Sequence, residues 1–171
     1  MNGFGSAIDH AFELQAQHAD AVAFVETLAR ELAAAVNNKT GGIVKIVLLD
    51  QEKTLNLGKQ LGRAFGLLRP QLGGDDEDRT VRKYLIARSG TSEARALWEV
   101  EFAEAGYPVT VRGPREKRVE VCSSAADVRD AFVDAAADVR VGRKLQSLLD
   151  SGTSEPETTA QLASAAEPPS D

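Results

Sequence analysis

The residues best suited to chemistry are Arg88, Ser89, Gly90, Thr91 and Ser92, a polar run between two apolar segments. A guanidinium and hydroxyls hydrogen-bond phosphate oxygens, and a glycine lets the backbone come close. A strand precedes the run and a helix is predicted after it. Free N–H groups and the dipole at such a helix start attract anions. Ligands of open α/β sheets bind at the carboxyl ends of the strands. This pattern predicts a phosphate-ligand site, for a phosphosugar or a nucleotide. The plainer reading of the same residues is a helix cap with no ligand.

A second candidate is the basic turn of Arg112, Arg115, Lys117 and Arg118 around Gly113-Pro114. A basic hairpin tip can contact nucleic-acid phosphates. Glu116 and Glu120 dilute its charge, and charged sheet edges also serve to block aggregation. Asp75, Asp76, Glu77 and Asp78 are hard oxygen ligands without the alternation and closing glutamate of a calcium loop. His10 and His18 are the only histidines. On one helix they stand about 12 Å apart and roughly 80° around it, too far to share a metal. Cys122 has no histidine near it in sequence and reads as a small buried thiol. Asp50 falls at the end of a predicted strand, but Lys53 follows at the wrong distance for a carboxylate–lysine nuclease motif.

The elements that must position these groups follow from periodicity. Ala21, Val25, Leu28, Leu32 and Ala35 make one helical stripe, within a long helix over 6–36. Its first half, to about Asp20, is more polar and is expected to project and meet a partner. IVKIVLL over 43–49 reads as a strand buried on both faces. A helix is predicted over 54–68, with Gly58, Gly62 and Gly66 along one face as a close-packing surface. A second strand spans 81–87. Ala94, Leu97, Trp98, Phe102 and Ala105 then recur at helical spacing over 92–105, with Gly106 as the stop. A third strand over 107–111 makes 81–111 a right-handed βαβ unit. Val119–Cys122 closes an edge hairpin over 107–122. A long helix over 125–149, capped by Ser123 or Ser124, ends the domain. The expected fold class is α/β, a mixed sheet of three or four strands with long N- and C-terminal helices.

The run from Leu85 to Glu93, with Ala105-Gly106-Tyr107 after it, resembles the phosphosugar-binding loop of the sugar isomerase (SIS) family. That family places Ser-Gly, Thr, Glu, a helix and Ala-Gly between two strands. The likeness covers roughly thirty residues, the size of one βαβ unit. It implies phosphosugar binding at Ser89, Gly90 and Thr91. The Thr and Glu stand one position early here, and Leu49 to Lys53 replaces the glycine-rich loop expected after the first strand.

Composition limits the partners. Hydrophobic residues are 43% of the chain and charged residues 27%, an ordinary globular balance over 171 residues. Aromatics at 5% leave few stacking platforms for single-stranded nucleic acid. The net charge of −6 is local. Asp75 to Asp78 and the segment from Ser151 carry the acid, and the body is nearly neutral. It lacks the basic footprint of a nucleic-acid binder. One cysteine excludes an internal disulfide framework, which fits a reducing compartment. With no secretory pattern and no long apolar run, a cytoplasmic protein off the membrane is expected. Residues 1–150 read as a single domain, and 151–171 as a disordered acidic tail.

No nucleophile–base pair, metal cluster or complete cofactor motif is visible. The chain is therefore expected to be a non-catalytic accessory or adaptor protein, without a cofactor, working through a protein partner or a second copy of itself. Phosphate-ligand binding and nucleic-acid contact stand as alternatives.

Overall fold

A computed structural model describes residues 3–51, 81–90, 93–113 and 119–153. Helix α1 runs from Gly3 to Thr40 over 38 residues. Strands β1 (Val44–Asp50), β2 (Val81–Ser89), β3 (Glu93–Ala103), β4 (Gly106–Arg112) and β5 (Val119–Cys122) follow. Helices α2 (Ala125–Ala136) and α3 (Val139–Thr153) complete the chain as described. The strands form one five-stranded sheet in the order β1-β2-β3-β4-β5, every pair antiparallel. The fold is thus mixed α/β, with a meander where a mixed sheet and a βαβ unit were expected.

The main correction is at 93–103. Trp98, Val100 and Phe102 are buried, and Glu99 and Glu101 between them are more exposed. That is the period of a strand. Two adjacent buried residues, Leu97 and Trp98, break the alternation and imitate helical spacing. The register explains them: Leu85 faces Trp98 and Ile86 faces Ala96, so Leu97 is an unpaired bulge residue. The Lys144 Nζ donates to the Ala96 carbonyl beside that bulge. Gly90, at φ 56°, makes the hairpin turn that replaces the expected helix start.

The predicted 107–122 hairpin is present, with β5 at the sheet edge. The last helix is two. Ser124 caps α2 by accepting from the Asp127 N–H at 3.2 Å, and the Asp127 carboxylate accepts from the Ser123 N–H at 3.0 Å. α2 stops at Ala137, and buried Asp138 starts α3 by accepting from the Arg140 N–H at 2.8 Å. The break in the expected 125–149 helix lies here. Ser151 to Thr153, expected in the tail, belong to α3. The rest of the tail, the 54–68 helix with its glycines, and the 75–78 cluster lie outside the described residues.

One face of the sheet carries the helices. Val44, Ile46, Leu85, Ala87, Val100, Phe102, Val109 and Val111 meet Ala21, Val25, Leu28 and Ala29 of α1, and Val128, Phe132, Val141 and Leu148 of α2 and α3. Phe132 stands edge-on to Trp98 at 5.4 Å. A smaller cluster of Tyr84, Ile86 and Ala94, with Val47 and Leu49, lies on the opposite face.

α1 crosses the sheet from β1 to β4. Lys83 of β2 holds Glu26 of α1 at 2.9 Å and Asp50 of β1 at 3.3 Å. At the other end α1 rests on Gly106. A Cβ there would lie 2.7 Å from the His18 Cα and 2.8 Å from the Gln17 carbonyl oxygen. Gly106 also has φ 88°. Gly106→Ala combines left-handed strain with a backbone clash and should cost about 2–4 kcal/mol. The urea midpoint of unfolding measures it. Lys83→Met keeps the apolar stem and removes both ion pairs. Its partners are 44% and 46% exposed, so the expected loss is only about 1 kcal/mol.

Candidate interaction surface

α1 is longer than the sheet it crosses. His18 marks where it leaves: its Nδ1 lies 3.2 Å from the Ala103 carbonyl oxygen, and its ring is 5.9 Å from that of Phe102. From Gly3 to Gln17 the helix extends beyond this point for about 22 Å, at a rise of 1.5 Å per residue. Every residue from Phe4 to Gln17 is exposed except the half-buried Leu14. Phe4 is 87% exposed, Ile8 55% and Phe12 66%. These three, spaced by four, form a ridge of large apolar side chains on an unsupported helix. Singly scattered surface apolar residues are ordinary, whereas these three are contiguous along the helix.

The overhang continues the seam that holds α1 to the sheet. Phe4, Ala7, Ala11, Leu14, His18, Ala21, Val25, Leu28, Leu32 and Ala35 alternate in spacings of three and four. From Ala21 onward this seam is buried or half-buried except at Ala35; before His18 it faces solvent apart from Leu14. The signal for the exposed part was in the sequence, as Phe4, Ile8 and Phe12 in an otherwise polar stretch.

Shallow apolar grooves flank the buried part of α1. Leu28, Leu32 and Ala35 with Phe132, Val133 and Ala136 line one of about 210 Å³. Ala35, Val36 and Thr40 with Gly142, Leu145 and Leu149 line another of about 350 Å³. Arg129 closes the first, bonded to Glu31 at 3.2 Å and lying 5.9 Å over the Phe24 ring.

Among the described residues, Arg88 and Ser89 of the expected phosphate site do not converge. Arg88 is exposed, while Ser89 is buried. The two sit next to one another on a strand, and so point to opposite faces. The C-terminal turn of α3 covers Ser89: a Cβ on Gly152 would strike its Oγ and stand 2.5 Å from the Ile43 Cγ2. Gly90 is in the turn, and Thr91 and Ser92 lie outside the described residues. The helix N-terminus on which the anion expectation rested is a strand, and the family resemblance loses its βαβ frame with it. In the basic turn, Arg112 meets Glu101 at 3.2 Å. Arg115, Lys117 and Arg118 lie outside the described residues.

Other charges on the sheet pair across strands. Arg82 reaches Glu99 at 3.7 Å and Glu101 at 3.6 Å. Burial raises the Glu99 pKa, against the pull of Arg82 and Arg112. Burial opposes the charge of Lys83, but Glu26 and Asp50 outweigh it and hold its pKa above the ordinary value. Lys144 is lowered by burial first, then by repulsion from Arg95 and Arg140. Among the described residues no three His, Cys, Asp or Glu side chains gather to hold a metal, and no helix is long and apolar enough to cross a membrane. His10 is exposed on the overhang, and Asp50 is ion-paired to Lys83. Comparison with family models, curated proteins and solved structures gives no match.

Cys122 is buried, and burial followed by the charges of Glu120 and Asp127 pushes its pKa to about 11. Its thiol should resist a disulfide reagent at pH 8 in the native protein and react once urea unfolds it. The unfolded thiol ionises near its ordinary pKa of about 8.5. The native state binds this proton more tightly, so stability should fall as pH rises from there toward 11.

Proposed function

We propose that this protein is a non-catalytic adaptor that works by protein–protein contact, with the overhanging part of α1 as its contact surface. The exposed ridge of Phe4, Ile8 and Phe12 carries this reading. A helix that presents large apolar side chains to water supports docking into an apolar groove or against another helix. The flanking Asp9 and Glu13 add negative charge, and residues 3–29 contain no lysine or arginine. A partner with an apolar groove and a basic rim suits that composition.

The test is affinity capture from the protein's own host with wild type and with Ile8→Glu/Phe12→Glu. Both positions are exposed, so the double variant should keep the wild-type melting temperature. A stoichiometric partner held by wild type and lost by the variant is the expected result. Identical proteins recovered with both would remove the overhang from the function.

A further inference from the structure

We infer that the overhang has a second occupant, another copy of this chain, and that two α1 helices pair antiparallel through the seam of exposed Phe4, Ala7 and Ala11 and half-buried Leu14. This rests on the reading of the overhang as an interaction surface; the seam shares Phe4 with the ridge and turns away from Phe12. Phe12 stands about 100° around α1 from Ala11, outside the seam.

Three observations select a second copy. The first is the order of side chains, large, small, small, large, from Phe4 to Leu14. Laid antiparallel on itself, it places Phe4 against the partner copy's Leu14, and Ala7 against the partner copy's Ala11. Each end layer receives bulk, and the central alanines let the backbones approach. Both copies then use the same patch, as a two-fold interface requires. The second is length. With Ala7 facing Ala11, the first helical residue Gly3 falls beside Gln15 of the other copy. That is just short of Gln17 and His18, where α1 meets Gly106. The free helix is long enough for this pairing and ends where a longer one would strike the sheet. The third is charge. In the heptad that this seam defines, the flanking positions hold Ile8, His10, Gln15 and Gln17, while Asp9 and Glu13 lie on the outer side. Two copies of an acidic helix therefore meet without facing carboxylates. Ile8 lies beside the seam and adds to it.

The contact is short, at the low end of interface sizes, so association should depend on concentration. Light scattering on the full chain across a concentration series should show growth from the 18.3 kDa monomer toward twice that mass. Ala11→Glu should hold it at the monomer mass without altering the melting temperature, because Ala11 is exposed. Phe12→Glu should still dimerise. Orientation is read by oxidising an equimolar mixture of Ala7→Cys and Ala11→Cys chains of distinguishable mass. Disulfides between unlike chains support the antiparallel pair, and disulfides between like chains overturn it. A monomer at every concentration, or a dimer that survives Ala11→Glu, also overturns it. The adaptor reading is tested separately by capture with Phe12→Glu alone, which leaves the seam intact.

Discussion

The close approach of α1 to Gly106 is the constraint on which the rest depends. A helix backbone touches a strand backbone only where a side chain is missing. Gly106 supplies that gap at the turn between β3 and β4, where its positive φ is needed as well. His18 fixes the same point through the Ala103 carbonyl. Pinned there and tied about two turns further on by Lys83 to Glu26, α1 is held in its path across the sheet. Its buried stripe then defines where α2 and α3 fit. The length remaining beyond the pin becomes the overhang.

The helical layer is built around this diagonal. α2 uses Phe132 against Trp98, and Arg129 against Glu31 and Phe24, to close one flank. Asp138 turns the chain so that α3 comes back over β2 and β3, ending against Ser89 and Ile43. Ser89 is thus a packing residue in the fold, whatever its hydroxyl suggested. Its neighbour Arg88 faces away. Adjacent residues of a strand cannot jointly grip one ligand from one face.

Much of the architecture was legible where one period dominated. α1, β1, β2, β4, β5 and the Ser124 cap all follow from stripes, alternation and turn residues, although β1, expected to be buried on both faces, is an edge strand with Lys45 exposed and Val47 to Asp50 half-buried. The failure at 93–103 has a definite cause. Ala, Leu, Glu and Arg favour a helix locally, and Leu97-Trp98 breaks the strand period. Only pairing with β2 and β4 decides the matter, and that information is not local. Ser89-Gly90-Thr91-Ser92 serves equally as a cap or as a hairpin turn, so it could not arbitrate. The break at Asp138 was likewise hidden, because its side chain acts through one backbone N–H. The overhang was legible as a polar first half of a long helix. Its apolar side chains are in the sequence, but their exposure depends on where the sheet ends, at His18, and that is not local information.

One helix here lives in two environments. From His18 onward, every amide of α1 lies on a segment packed against the core. Before it, apart from half-buried Leu14 and the contact of Gln17 with Gly106, the helix is exposed and its backbone hydrogen bonds have solvent around them. A free helix of this length is marginal in water, because nucleation is costly and few bonds follow to offset it. Amide exchange should therefore be graded along a single unbroken helix, fast before His18 and slow after Ala21. The folded part supplies a ready nucleus, so the overhang frays and re-forms from the sheet outward. Any macromolecule that covers it must first complete the helix, and part of the association free energy goes into that ordering.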